Sequence, residues 1–371
     1  MRNRNATDRT NLRHYRTGDD GLDDLIEALA TAGGRTTDLD LIAELLVTST
    51  RLGRENVDRG ELKLVNSALK ELRHAFAVFA PYRHVRKATV FGSARIRDGD
   101  PAYLAAREFG AAMAGHGWML ITGAGPGIMA AGLEGAGTEN SFGVNILLPF
   151  ESEANEFIAN DPKLVNFRYF FTRKVMFMKE SHGYALLPGG FGTMDEAFEL
   201  LTLMQTGKSA LAPVVLLDPP GSTYWEHWQD FVRQELEAGG LISTADRALV
   251  YATDDPVAAA EHVRHFYDTY HSMRYVGGRL ILRLERRIDD DELRYLNAEF
   301  ADILEDGRIQ RCEASPAEIR DGDEVDRPRL ALRFDRHAHA RLRLFIDALN
   351  DATPGRRSRG RRPPRACGPP S

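Results

Sequence analysis

Cysteine is almost missing from this sequence: 371 residues include two, Cys312 and Cys367, the second in a tail rich in arginine, glycine and proline. Such a pair supports neither a disulfide framework nor a thiolate metal site. Eleven histidines occur without an HExxH pattern. His337 and His339 alternate, but with no third ligand nearby they read as surface residues, and no metal is expected. Long apolar runs are also missing, since no stretch reaches the ~18 residues that a membrane span needs. Residues 1–20, MRNRNATDRTNLRHYRTGDD, lack the apolar segment of a secretory signal. They read as a mobile polar arm on a cytoplasmic protein.

Excess positive charge is lacking as well. The net charge of −6 argues against a nucleic-acid-binding body. The exception is the tail, 351–371, where Arg356, Arg357, Arg359, Arg361, Arg362 and Arg365 sit among glycines and prolines. That composition cannot build a core and reads as disordered; it is either an inert solvated tail or a contact for RNA or an acidic partner.

Two cofactor signatures are absent in an instructive way. In GAGPGI, residues 123–128, the dinucleotide fingerprint would want a third glycine three positions after the second, where the chain has Ile128 and then Met129 close by. Gly207-Lys208-Ser209 would need a glycine five residues upstream for a Walker loop, and Thr202 is there. NAD and P-loop chemistry are both disfavoured.

What is present is a strand and helix alternation. Residues 21–84 carry apolar side chains at helical spacing (Leu22, Leu25, Ile26, Leu29; Leu41, Ile42, Leu45, Leu46; Leu62, Val65, Leu69, Leu72), which predicts three amphipathic helices. From 85 to 270, short apolar strands at 88–91, 118–122, 142–148, 166–170, 184–187, 214–217 and 249–251 alternate with helices. This pattern predicts an α/β fold, a Rossmann-like doubly wound parallel sheet. Ligands of such sheets bind beyond the carboxyl ends of the strands, where the loops 92–95, 123–127 and 188–193 are expected. A small α+β unit follows at 277–350 and reads as either a regulatory or assembly domain or a stabilising appendage.

The most informative segment is PGGFGTMDE, residues 188–196. A strand that stops at a proline and two glycines before a helix leaves backbone N–H groups facing outward, which suits a phosphate. Glu196 follows about one helical turn later. As a mere helix-dipole acid it would contribute at most ~1 kcal/mol, and that role leaves the neighbouring glycines unexplained. Arg173 is at the start of a predicted helix, where the dipole disfavours a cation, so it suggests a clamp for phosphate or substrate.

Six segments in order, FGSAR (91–95), TGAGPGIM (122–129), VNILLPFE (144–151), YFFTRKVMF (169–177), PGGFGTMDE (188–196) and LTLMQTGK (201–208), resemble the LOG family, often labelled lysine decarboxylase-like. The resemblance covers roughly 85–270 and is nearest to the larger bacterial members. Ala124 departs from the glycine many members have there, and alanine calls for an ordinary backbone conformation. The resemblance implies hydrolysis of a nucleoside 5′-monophosphate to a free base and ribose 5-phosphate, with no cofactor and with Arg173 and Glu196 as the catalytic pair. It also implies a homodimer or higher oligomer.

On this reading Gly189, Gly190, Gly192 and Thr193 hold the 5′-phosphate. Gly92, Ser93, Gly125, Gly127, Met129 and Lys174 are further candidates for substrate contact, and Ser93 has the alternative of capping the turn after its strand. The alternatives in function are a nucleotide sensor or carrier without turnover, and a pyridoxal-phosphate decarboxylase using Lys174, Lys179 or Lys208.

Overall fold

The computed structural model describes residues 15–34, 37–148 and 153–352. The basic tail beyond 352, most of the N-terminal arm and the last three residues of VNILLPFE lie outside the described residues. The chain divides into two compact units, Met1–Arg73 and His74–Ser371.

In the first unit, α1 (Asp20–Ala32) is capped by Asp19, whose carboxylate accepts from the Leu22 N–H at 3.1 Å. It packs on α2 (Leu39–Arg54) through Ile26, Ala30, Ala43 and Val47. The third helix, α3 (Arg59–Phe79), begins in this unit and ends in the second. Leu25, Leu29, Leu41 and Leu45 remain exposed.

The second unit is built on seven strands: β1 (Lys87–Phe91), β2 (Met119–Thr122), β3 (Ser141–Ile146), β4 (Leu164–Phe167), β5 (Gly183–Leu186), β6 (Val214–Leu217) and β7 (Val250–Thr253). All neighbours pair parallel, in the order β4-β3-β2-β1-β5-β6-β7. The connecting helices are α4 (Pro101–Gly115), α5 (Ile128–Ala136), α6 (Phe170–Glu180), α7 (Phe191–Gln205), α8 (Tyr224–Phe231, continued as a π-helical turn to Glu237) and α9 (Pro256–His265). This is the α/β, Rossmann-like sheet expected from the alternation. Its strands are nearly continuous apolar runs because both faces are covered by helices. Ala88, Val90, Leu120, Ala185, Val215 and Leu217 pack with Phe109, Met113 and Val263 from α4 and α9. The strand order reverses between β1 and β5, so the loops leaving these two strands open a crevice at their carboxyl ends. The Ser93 N–H donates to the Pro188 carbonyl at 3.1 Å and ties the two loops together.

Two boundaries differ from the sequence reading in ways that move the site. The fourth strand ends at Phe167 rather than 170, so α6 starts at Phe170. Likewise α7 starts at Phe191, which places Gly192 and Thr193 in its first turn.

A second, antiparallel sheet has the order β10-β11-β9-β8, with β8 (Tyr270–Val276), β9 (Arg279–Leu284), β10 (Leu304–Cys312) and β11 (Arg329–Phe334). It carries α10 (Asp290–Glu299), α11 (Pro316–Asp321) and α12 (His339–Asp351). Helix α12 ties the start of β8 to the end of α9. The buried Asn350 amide accepts from the N–H groups of Thr269 (2.8 Å) and Tyr270 (3.0 Å) and donates to the Phe266 carbonyl at 2.6 Å. Contrary to the surface reading, His339 is buried, with its ring against Gly207. Among the described residues, no helix is long and apolar enough to cross a membrane.

Candidate active site

The crevice between β1 and β5 is a cleft of about 710 Å³. One wall is the β1 loop, Gly92 to Arg95, and the opposite wall is the loop and first turns of α7, Gly189 to Glu196. Gly123, Met129, Phe170 and Arg173 also line it.

Helix α7 begins without a side-chain cap: Gly190 is in the N-cap position and makes no capping hydrogen bond. The first backbone bond of the helix runs from Met194 N–H to the Gly190 carbonyl. The N–H groups of Gly190, Phe191, Gly192 and Thr193 therefore have no acceptor among the described residues. Orphan donors at the positive end of a fifteen-residue helix are an arrangement that suits an anion. The glycines differ in purpose. A Cβ on Gly189 would fall 2.2 Å from Thr193 Oγ1, so only glycine lets the loop close on its helix, whereas Gly190 and Gly192 have open space where a Cβ would be.

Glu196 is one turn further along α7 and is 7% exposed. No hydrogen bond or ion pair to it is found among the described residues. Burial pushes its carboxyl up to about 7; Arg173 and Lys174 oppose the rise, and Asp195 and Glu199 add to it. The carboxyl is thus poised near neutrality, as an acid–base group requires.

Arg173 enters from α6 and is 8% exposed. Its Nε–H donates to the Val144 carbonyl at 2.8 Å, and its Nη2 reaches the Gly123 carbonyl at 3.5 Å. Burial lowers its pKa and Glu196 raises it. Two carbonyls, Val144 within β3 and Gly123 just past the end of β2, therefore aim the guanidinium, a fork geometry that lysine cannot reproduce.

Of the residues singled out in the sequence, Arg173, Glu196, Gly92, Ser93, Met129, Gly189, Gly190, Gly192 and Thr193 come together in this cleft. The Ser93 Oγ accepts from the Arg95 N–H at 3.1 Å, the turn-capping role weighed for it, and the residue also lines the cleft.

Lys174 does not join them. Its ammonium is held by Asp195 at 2.8 Å and Glu199 at 2.9 Å, which fastens α6 to α7 and leaves Lys174 itself outside the lining. Gly125 and Gly127 also stand outside the lining. Gly125 gives its carbonyl to the Asn155 amide at 2.9 Å. Gly127 has φ 68°, and a Cβ there would strike the Ser93 carbonyl at 2.4 Å, so it lets α5 approach the β1 loop closely. Ala124 corrects another expectation, because its φ is 61°, a left-handed conformation unusual for alanine. It is held by the Asn155 N–H, which donates to the Ala124 carbonyl at 2.8 Å.

Phe170, Met194 and Asp195 line the cleft without having been singled out in the sequence, and Arg95, Gly123 and Phe191 do so from loops expected there but were not named individually. Phe191 is 97% exposed, and its place inside PGGFGT was the one available signal. Among the described residues no lysine lines the cleft, and Lys179 pairs with Glu180.

Comparison with known proteins covers the part of the chain that carries α6 and α7. Residues 127–263 match a family described as "Possible lysine decarboxylase". A Mycobacterium tuberculosis protein named cytokinin riboside 5′-monophosphate phosphoribohydrolase is 29% identical over 39% of this chain and 76% of its own length. An Arabidopsis thaliana protein, named as the probable phosphoribohydrolase LOG6 of the same type, is 35% identical over 22% of this chain. That match spans only 38% of the Arabidopsis protein. Among solved structures, the molybdenum cofactor carrier protein of Chlamydomonas reinhardtii is 23% identical, with a TM-score of 0.32 over 48% of this chain and 96% of that one.

Proposed function

We propose, for a chain that belongs to the LOG family, hydrolysis of the N-glycosidic bond of a nucleoside 5′-monophosphate to free base and ribose 5-phosphate. The observation that carries this reading is the unpartnered, buried Glu196 carboxyl one turn beyond a row of orphan N–H groups on the same helix. A phosphate seated on Gly190 to Thr193 leaves its ribose next to Glu196. Cleavage of such a bond builds positive charge at C1′, which a carboxylate stabilises while it orients or deprotonates the attacking water. Arg173 clamps the substrate against Glu196 and keeps part of the carboxyl population ionised.

The names of the Mycobacterium and Arabidopsis relatives support a nucleotide phosphoribohydrolase and make cytokinin riboside monophosphates candidate substrates beside AMP. The pyridoxal alternative lacks support, because among the described residues no lysine lines the cleft to form an imine.

The deciding experiment incubates the protein with a panel of purine, pyrimidine and cytokinin riboside monophosphates and measures ribose 5-phosphate. Release that is lost in Glu196→Gln supports the reading. Tight binding with no release from any member would make the protein a carrier.

Self-association belongs to the same proposal. Phe171 and Val175 of α6 are exposed apolar side chains outside the cleft lining, the kind of surface that a second copy would cover. A monomeric mass by light scattering would contradict it.

A further inference from the structure

Gly189 and Gly190 share a peptide group whose carbonyl is anchored from outside the cleft. Tyr224, the first residue of α8, donates its hydroxyl to the Gly189 carbonyl at 2.5 Å. Tyr224 is itself fixed by a short bracket at the end of β6. Asp218 accepts from Ser222 Oγ at 2.7 Å and from the Trp225 N–H at 3.0 Å, and Ser222 Oγ in turn accepts from the Tyr224 N–H at 3.2 Å. The Tyr224 ring stands edge-on to Trp225, with centroids 4.9 Å apart. The hydroxyl is therefore presented by a rigid turn.

In a trans peptide the C=O and N–H point in opposite directions. Holding the Gly189 carbonyl on Tyr224 consequently aims the Gly190 N–H the other way, toward the cleft that both glycines line. This peptide needs such a restraint more than any other in the loop. A peptide flip changes ψ of the first residue and φ of the second by about 180°, and a glycine pair tolerates both changes. Gly190 now has φ −92°; flipped, it would enter the positive-φ region that glycine alone occupies without penalty. A flipped peptide would present a carbonyl oxygen, not a donor, to an anion.

We propose that Tyr224 is a positioning residue for the anion cradle: its hydroxyl locks the Gly189–Gly190 peptide in the orientation that donates to a phosphate. The proposal rests on the phosphate-binding part of the reading above and is independent of whether the bond is cleaved.

The test measures binding of inorganic phosphate and ribose 5-phosphate by calorimetry. Tyr224→Phe keeps the ring against Trp225 and removes only the hydroxyl; it should weaken both ligands about tenfold, the scale of one hydrogen bond to a charged group. Its thermal unfolding should stay near that of the unaltered protein. The discriminating arm repeats Tyr224→Phe in a Gly190→Ala background. Alanine fits φ −92° with open space around its Cβ but resists the flipped state, so there the same change should cost less than about twofold.

An equal loss in both backgrounds, or no loss in the Gly190 background, overturns the proposal while leaving the phosphate site standing. Failure of the unaltered protein to bind either ligand removes the site and the proposal with it. If ribose 5-phosphate binding follows the expected pattern but no monophosphate is hydrolysed, the proposal holds and the reaction assigned to the cleft does not.

Discussion

Arg173 and Glu196 are buried, oppositely charged and open to the same cleft, yet no ion pair within 4 Å joins them among the described residues. The guanidinium is committed to the Val144 and Gly123 carbonyls. Its charge therefore reaches Glu196 only over a distance and fails to cancel the cost of burial, which explains a carboxyl raised to about 7. A fully formed ion pair would have given a stable carboxylate with no space for a sugar between the two groups.

Glu196→Gln should separate the two consequences of that arrangement. Turnover should fall on the order of 10² to 10⁴-fold, the usual range for loss of a positioned acid–base group. Stability should move in the opposite direction at alkaline pH. Because the folded pKa of about 7 is above the unfolded 4.5, Glu196's favourable contribution is complete below about 4.5 and is lost as pH rises through 7. The amide removes this dependence and should stabilise the fold at pH 8.5 by up to about 3 kcal/mol, since each tenfold change in acid strength is worth about 1.4 kcal/mol. Urea unfolding at pH 5 and pH 8.5 checks both sign and window; an unchanged difference between the two pH values would contradict the assignment.

Replacing Arg173 should shift the pH profile. Arg173 lowers the Glu196 pKa, so Arg173→Met should raise it and move the acid limb of kcat/KM to higher pH, leaving less carboxylate at pH 7. Arg173→Lys keeps a charge but cannot span the Val144 carbonyl and the cleft together, and should still lose about tenfold or more in turnover. A limb that stays in place, or moves to lower pH, would show that the two groups do not communicate.

Lys174, adjacent in sequence to Arg173, should behave differently. Its ammonium joins Asp195 and Glu199 across α6 and α7, and Asp195 is well exposed, so the pair is worth about 1 kcal/mol at most. Lys174→Met should lower unfolding stability by about that much and change KM less than about threefold. A collapse of substrate binding would return Lys174 to the cleft.

The sheet was legible in the sequence because buried parallel strands are short apolar runs ended by glycine or proline, as in ATVFGS and YALLPGG. Strand β8 was not, since Tyr270–Val276 (YHSMRYV) is only half-buried, mixes polar and apolar positions and shifts register after Tyr270. Arg173 and Glu196 were found through motifs. The partners of Lys174 were not, because Asp195 and Glu199 lie on a different helix and only the packing of α6 on α7 brings them close. Ala124 misled for a related reason: its φ of 61° is imposed by tertiary contacts, including the Asn155 N–H on its carbonyl, and local propensity gives no sign of it.

Gly207 shows why a motif glycine can be structural. It closes the carboxyl end of α7 with φ 67°, and a Cβ there would lie 2.2 Å from both Cε1 and Nε2 of His339, the first residue of α12. The ring cannot retreat easily, because His339 is buried and its Nδ1 is bound to the Arg336 carbonyl at 2.8 Å. Gly207→Ala should therefore destabilise the fold by about 3 kcal/mol, combining a left-handed backbone penalty with overpacking. His339→Ala alone should also destabilise, through the space left by the ring. Together the two should cost clearly less than their sum, because removing the ring removes the clash and leaves only the backbone penalty. Urea midpoints of the four proteins measure this directly. Strict additivity would mean that α12 does not bear on the end of α7; the expected shortfall would show that the small sheet and the cleft share one packed element.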